Sequence, residues 1–306
     1  MRVGVIGAGR WGRNIIRTLR GMSGVEVSCV ASRNPATRDL VDAGCVIEHD
    51  WRSLLRHREL DAVVVATPPA MHVEMTAEAV SAGLPVFVEK PLTCDMREAE
   101  RLFDLVAEKG GYVLVDHVHL FSPAYRALRA RLPAIGSITR LRVDAGAWGP
   151  FRTDTPVLWD WGPHGAAFCV DLLGPRPHAL GAERIERRSV DGAWGETLVL
   201  HAEYANGAAA DIRLSNMLRQ KSRSLCVEGP GGTLVYDDCS AQKLTYRPGG
   251  PDDTAAEAIA VSAEPALDCA LSQFLGNVST GAAGPDDLRL GVEVVRMLDA
   301  WEARLR

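Results

Sequence analysis

The sequence predicts an α/β protein in two parts: a doubly wound parallel sheet at the N-terminus, then an α+β domain containing a largely antiparallel open sheet. Three observations predict it. Short β-branched runs alternate with helical stretches as far as about residue 118. Those runs are continuously apolar, as strands covered on both faces must be. Beyond residue 122, strand-like segments follow one another with only turn residues between them. At roughly 150 residues per domain, the 306 residues make about two domains, each large enough for its own core. We place the division between 1–118 and 119–306.

The parallel strands are expected at 3–6, 25–31, 62–66, 85–89 and 112–117. The second domain is expected to open with a short helix over 124–132. Strands at 138–147, 197–204, 208–215, 222–228 and 232–237 follow. Asn206-Gly207 and Gly229-Pro230-Gly231-Gly232 supply turns, and alternation from Leu198 to Glu203 marks a strand with one solvated face. Residues 247–266, with their Pro, Gly, Asp and Ala, read as a long surface loop, and 288–305 as the amphipathic helix that closes the chain.

Composition removes several classes of function. With 34 basic against 39 acidic side chains and a net charge of −5, the chain has no general attraction for nucleic acid, and no Lys/Arg run suggests a membrane-surface patch. No stretch approaches the ~18 apolar residues of a spanning helix. The start, Met1-Arg2-Val3-Gly4-Val5-Ile6-Gly7, is not a signal-peptide core, so a cytoplasmic location is expected. Seven cysteines (29, 45, 94, 169, 226, 239 and 269) stand singly with no C-x-x-C pair. Neither a disulfide framework nor a thiolate zinc site is expected, and most of them, Cys94 included, read as small buried apolar residues.

Gly7-Ala8-Gly9-Arg10-Trp11-Gly12 follows the first strand and opens a helix, the setting in which G-x-G-x-x-G is the dinucleotide fingerprint of a Rossmann domain. Gly7 permits the tight turn, Gly9 lets the backbone approach a pyrophosphate, and Gly12 lets helix and strand pack closely. The helix N-terminus favours the anion, and Arg10 and Trp11 belong to the same turn. An NAD site places an acidic residue about 20 positions on, to accept the ribose 2′-hydroxyl. Here the second strand ends Ala31-Ser32-Arg33. Ser32 can bond a 2′-phosphate, Arg33 can pair with it and Arg38 offers a second cation, so NADP is expected in preference to NAD. The competing reading leaves Arg33 a solvated loop residue.

Ala66-Thr67-Pro68-Pro69, with His72, and Glu89-Lys90-Pro91 end the strands at 62–66 and 85–89, on the carboxyl edge of the sheet where such folds bind ligands. Thr67, Pro68, His72 and Glu89 are therefore expected beside the cofactor. Lys90, held extended or in a turn by the following proline, is placed to give or take a proton there. Asp160 and His164 are four residues apart; on a helix they share one face, and the carboxylate can orient the imidazole. Read singly, these residues also fit plain alternatives, a surface lysine and a structural Asp–His hydrogen bond. His117 and His119 would share a strand face, but without a further Cys or carboxylate cluster no metal site is expected. Trp148, Trp159 and Trp161 flank the candidate site, where stacking on a sugar and core packing explain them equally well.

In their order and approximate spacing, Gly7-x-Gly9-x-Trp11-Gly12, Ala66-Thr67-Pro68-Pro69 with His72, Glu89-Lys90-Pro91 and Asp160-x-Gly162-x-His164 resemble the glucose-fructose oxidoreductase, inositol dehydrogenase and rhizopine-catabolism (Gfo/Idh/MocA) family. The resemblance spans nearly the whole chain. His117 to Tyr125, with Val157 to His164, looks most like the branch of nucleotide-sugar 3-dehydrogenases and deoxysugar 3-ketoreductases.

The resemblance implies an NAD(P)-dependent oxidoreductase that moves a hydride between nicotinamide and a secondary alcohol or ketone of a sugar, nucleotide sugar or cyclitol. Its active site would lie between the C-terminal domain and the nicotinamide. Lys90 and His164 would handle the proton, Asp160 would assist, and the peptide before Pro91 would be cis. No metal takes part, and a homo-oligomer, dimer or tetramer, would assemble through the C-terminal sheet. His117 and Trp161 are expected to border the substrate. A catalytically inactive dinucleotide-binding regulator is the alternative, and reduction of an imine or a dihydrodiol a second. One departure concerns substrate contacts. The family usually carries an acidic residue next to the histidine or three places later, where this chain has Gly165 and Ala167. Asp171 has the wrong spacing and reads as a helix residue.

Overall fold

The computed structural model describes residues 1–190, 192–249, 253–282, 284 and 286–305. The chain forms two compact units, one of Met1–Val118 with Pro265–Val295, the other of His119–Glu264 with the chain from Arg296 onward.

In the first unit strands and helices alternate: β1 (Arg2–Ile6), α1 (Arg10–Gly21), β2 (Glu26–Ala31), β3 (Val46–Glu48), α2 (Trp51–Leu54), β4 (Ala62–Val65), α3 (His72–Ser81), β5 (Val86–Glu89), α4 (Met96–Lys109) and β6 (Val113–Asp116). All pairings are parallel, in the order β3-β2-β1-β4-β5-β6. β1 and β4 are therefore neighbours in space but not in sequence, and between their carboxyl ends lies the switch point where doubly wound sheets bind ligands. β4, β5 and β6 are buried along their whole length, which is why they read as unbroken apolar runs.

The second unit holds α5 (Pro123–Ile135), β7 (Arg140–Trp148), α6 (Val157–Leu173), β8 (Ala179–Val190), β9 (Ala193–Glu203), β10 (Ala209–Ser215), β11 (Met217–Gly229), β12 (Gly232–Asp237), β13 (Leu244–Arg247) and β14 (Glu257–Ala258). The sheet order is β14-β13-β12-β11-β7-β10-β9-β8. The β7–β10 pairing is parallel and the others are antiparallel. One face carries Leu141, Val143, Leu198, Leu200, Ile212 and Leu214, all buried. α6 lies directly on it: a Cβ on Gly165 would stand 2.9 Å from Ile212 Cγ2. The other face is a mosaic of cross-strand ion pairs, among them Arg142–Glu228 at 3.1 Å and His201–Asp211 at 2.7 Å.

The chain ends in α7 (Ala266–Thr280) and α8 (Asp286–Leu305). α7 belongs to the first unit, where Phe274 meets Phe87 edge-on and stacks on Tyr112, with centroids 5.6 and 5.5 Å apart. The Tyr112 hydroxyl donates to Asp287 and accepts from Asn277. Gly291 of α8 packs on Val115 of the same unit, and Trp301 is fully buried in the second unit, donating to the His201 carbonyl.

Two expectations need correction. The stretch 247–266 is not an uninterrupted loop: β14 pairs with β13 through Thr245–Ala258 and Tyr246–Glu257, while residues 250–252 lie outside the described residues. Cys94 is exposed, because it sits in the turn just before Asp95 caps α4, and Cys239 is exposed too. Cys29, Cys45, Cys169 and Cys269 are buried as expected. Among the described residues no helix is long and apolar enough to cross a membrane, and no cluster of three or more potential metal ligands occurs.

Candidate active site

The three glycines of the first turn have different neighbours. Gly7 has φ +100°, and a Cβ there would stand 2.5 Å from the Ala66 carbonyl oxygen; a Cβ on Gly12 would stand 2.2 Å from the Gly7 oxygen. Both positions are glycine because the protein's own backbone fills the space. Gly9 has no atom within 4 Å of a Cβ position, so the room it leaves faces outward. It is also the N-cap of α1, with no side chain capping the helix and no acidic residue in the first turn. An open approach to uncapped N–H groups fits a dinucleotide pyrophosphate. Arg10 and Trp11 are exposed on this turn, and Thr67 and Pro68 stand across the switch point after β4.

At the end of β2, Ser32 Oγ accepts from the Asn34 N–H at 3.1 Å and from Thr37 Oγ1 at 2.8 Å, which leaves its own O–H to donate. Arg33 is exposed and makes no hydrogen bond or ion pair among the described residues. Arg38 is tied to the carbonyls of Asp42 and Cys45. The carboxylate facing this strand end from β3, Glu48, is engaged by His57 Nε2 at 2.9 Å.

Glu89 and Asp116 are register partners on adjacent strands, so their side chains leave the same side of the sheet at its carboxyl edge. They are 8% and 1% exposed. Burial, then the Asp116 charge, pushes Glu89 well above the ordinary carboxylate range, against the pull of Lys90 and the Trp11 indole. Burial likewise raises Asp116, opposed by the Lys90 charge. Two carboxyl groups so placed hold one proton more readily than two charges. Neither Asp116 oxygen, nor Glu89 Oε1, nor either nitrogen of buried His117 has a hydrogen-bond partner among the described residues. Burial, helped by the Lys90 charge, holds His117 down to about 3, so its ring is neutral. Lys90 itself is half-buried and precedes Pro91 through a cis peptide.

His72 is fully buried, with Nδ1 2.8 Å from the Pro91 oxygen and Nε2 2.7 Å from the Thr67 oxygen. It braces the loops after β4 and β5 from behind. Asp116 was not singled out in the sequence; the available signal was a carboxyl residue ending an apolar run beside His117.

In the second unit α6 puts Asp160 and His164 one turn apart on one face, and Asp160 is 3.5 Å from Arg152. The His164 ring stands edge-on to His119 at 4.7 Å, and His119 Nδ1 meets the Tyr236 hydroxyl at 3.0 Å. Trp159 is buried and donates to Glu302, Trp148 is exposed against Phe151, and Trp161 is 7% exposed. The acidic residue missing after His164 has a packing reason. Gly165 has no room beside Ile212, Ala167 is buried, and Asp171 is taken by the Tyr125 hydroxyl at 2.5 Å and by Arg129 at 3.2 Å.

Residues 1–117 match the Gfo/Idh/MocA family model, described as an oxidoreductase family with an NAD-binding Rossmann fold. The chain is 35% identical over 263 residues to dTDP-3,4-didehydro-2,6-dideoxy-alpha-D-glucose 3-reductase of Actinomadura kijaniata, covering 81% of this chain and 78% of that one. This chain belongs to the Gfo/Idh/MocA oxidoreductase family. It is also 38% identical over 238 residues to inositol 2-dehydrogenase of Leifsonia xyli subsp. xyli, covering 72% and 67% of the two chains. A crystal structure of a Magnetospirillum magnetotacticum MS-1 protein superposes with a TM-score of 0.92 at 42% identity, covering 98% of this chain and 99% of that one. As a member of the family, the protein is an NAD(P)-dependent oxidoreductase, and its parallel and mostly antiparallel sheets are those the sequence predicted.

Proposed function

We propose that the protein uses NADP to interconvert a secondary alcohol and a ketone on a sugar, nucleotide sugar or cyclitol, with Lys90 and His164 as its proton carriers. The observation that carries this reading is Lys90 in the Glu89-Lys90-Pro91 triplet at the carboxyl end of β5, beside the buried Asp116 carboxyl of β6, which has no hydrogen-bond partner among the described residues. Relatives named for a dTDP-sugar ketone and for inositol support the substrate class.

The nicotinamide, when bound, supplies or accepts the hydride. In the reductive direction the Lys90 ammonium stabilises the developing alkoxide and gives it a proton. His164 is the second group able to carry that proton, and Asp160 orients its ring from one turn away. Gly7, Gly9 and Gly12 shape the cofactor turn, with Arg10, Trp11, Thr67 and Pro68 along it. Ser32 and Arg33 support NADP: one offers a hydroxyl proton, the other a guanidinium with no partner among the described residues, while Glu48, the carboxylate facing this strand end, is engaged by His57. Arg38 adds positive charge. His117 and Trp161 border the substrate. A homo-oligomer through the ion-paired face of the second sheet, and a cytoplasmic location, belong to the same reading.

Titration with NADPH and, separately, NADH, followed by energy transfer from tryptophan to nicotinamide, tests the cofactor half. Micromolar binding with a clear NADPH preference is expected. An NADH preference removes the roles of Ser32 and Arg33, and binding of neither removes the reading.

A further inference from the structure

His164 is half-buried on α6, and its ring rests against a cluster of rings within the second unit. His119, in the 3₁₀ turn Val118–Phe121, stands edge-on to it, with centroids 4.7 Å and planes 80° apart. Phe168, one turn further along α6, and Tyr236 of β12 close on the same His119 ring, with centroids at 6.2 and 6.0 Å. Tyr125 of α5 backs Tyr236 at 6.4 Å. His119 is 6% exposed and Tyr236 1%. On the sheet side Val143, Ala145, Arg223 and Ser224 line the room that is left, about 10 Å³, which is one water molecule at most. An imidazole cannot swing into it.

Apolar rings alone would fill this space at less risk, because a buried polar group that misses its bond costs stability. Instead two polar side chains are buried together, and His119 Nδ1 shares a hydrogen bond with the Tyr236 hydroxyl at 3.0 Å. Burial pushes the Tyr236 phenol up, so the hydroxyl keeps its proton. The bond selects one orientation of the His119 ring: turned over, the ring would set a carbon against the hydroxyl and leave it buried and unmet. A His119 ring fixed in this way limits rotation of the His164 ring it touches, while Asp160 approaches from the preceding turn of α6. Proton transfer depends on such a hold, since a small misplacement of the reacting group is costly in rate. We propose that Tyr236 and His119 are positioning residues: Tyr236 fixes the His119 ring, and His119 holds the His164 imidazole in the orientation in which it carries the proton. The proposal rests on the reading of His164 as a proton carrier.

The test follows NADP+ reduction with myo-inositol, glucose and UDP-glucose, one probe for each substrate class above, and takes the probe turned over fastest into the variants. These are H164N, Y236F, H119A and H119F, with Y236F and H119A each also combined with H164N. H119A is expected to lower kcat by as much as about 10²-fold, the scale of a misplaced group. H119F keeps a ring against His164 and restores part of that loss. Y236F removes the hydroxyl, keeps the ring and lowers kcat about two- to tenfold, the range for one hydrogen bond. In the H164N background neither Y236F nor H119A lowers kcat further, a non-additivity that a cluster serving only the fold does not produce. NADP+ affinity and melting temperature establish that each variant is folded. Wild-type kcat in Y236F or H119A, or losses that multiply with that of H164N, overturns the proposal and leaves His164 its role. Full turnover in H164N removes His164 as a proton carrier and the proposal with it. Oxidation of none of the three probes, with NADP+ bound normally, overturns the sugar reading and the proposal together.

Discussion

At the carboxyl edge of the first sheet, Glu89, Asp116 and His117 are almost completely buried and five of their polar atoms have no hydrogen-bond partner among the described residues. On the outer face of the second sheet Asp211 stands in a partly solvated cluster of charges, paired with Arg140 and with His201. The strand ends carry a cost that a solvated pair avoids. A buried, unbonded polar group destabilises a fold by kilocalories, whereas an exposed ion pair contributes about 0–1 kcal/mol. A cluster that costs stability and sits where parallel sheets bind ligands points to chemistry, and an array that costs little points to solubility or association.

Variants at each region sharpen that contrast. K90A is expected to lower kcat by about 10²–10⁴-fold while NADPH affinity changes little. H164N lowers it too, and if both residues serve one proton transfer the double variant loses far less than the product of the two single losses. Steady-state kinetics with fluorescence titration checks this, and unchanged turnover in K90A removes Lys90 from the mechanism. D116N is expected to raise the melting temperature at pH 8 by several degrees and by less at pH 4.5. The sign follows from the direction of the shift. Asp116 is held above its unfolded value, so the native state binds the extra proton and loses stability as pH rises through the titration range. Asparagine cannot acquire that buried charge. A melting temperature that falls at pH 8 removes the account of the carboxyl pair. R140A breaks the partly solvated pair with Asp211 on the outer face and should change stability by less than about 1 kcal/mol in denaturant titration. A larger loss would make that face part of the core or of an interface.

Legibility followed burial. β1, β2 and β4 to β6 announce themselves because both faces are covered; that Asp160 and His164 share a face depended on their segment being helical, which α6 supplies. β8 passed unnoticed. It pairs with β9 at the sheet's edge, is exposed along most of its length, and reads Ala-Leu-Gly-Ala-Glu-Arg-Ile-Glu-Arg-Arg-Ser-Val, a charged pattern suited to an edge strand. β3 has only three residues. Of the candidate site, the glycine turn and Lys90 were legible as motifs, whereas Asp116 required knowing that β5 and β6 pair in the register that sets it beside Glu89.

The sequence by itself determined the parallel α/β unit, the dinucleotide turn, the position of Lys90 at a strand end and the absence of an acidic residue after His164. Each is set by neighbours a few residues away, through strand periodicity, backbone freedom at glycine and helical spacing. Only the tertiary structure decided that α7 joins the first unit, that Gly165 is pressed against β10, that Glu89 meets Asp116, and that Arg223 of β11 comes over Trp161 of α6. Those placements depend on packing between elements tens of residues apart, where burial of the whole unit, and no local preference, selects the partner.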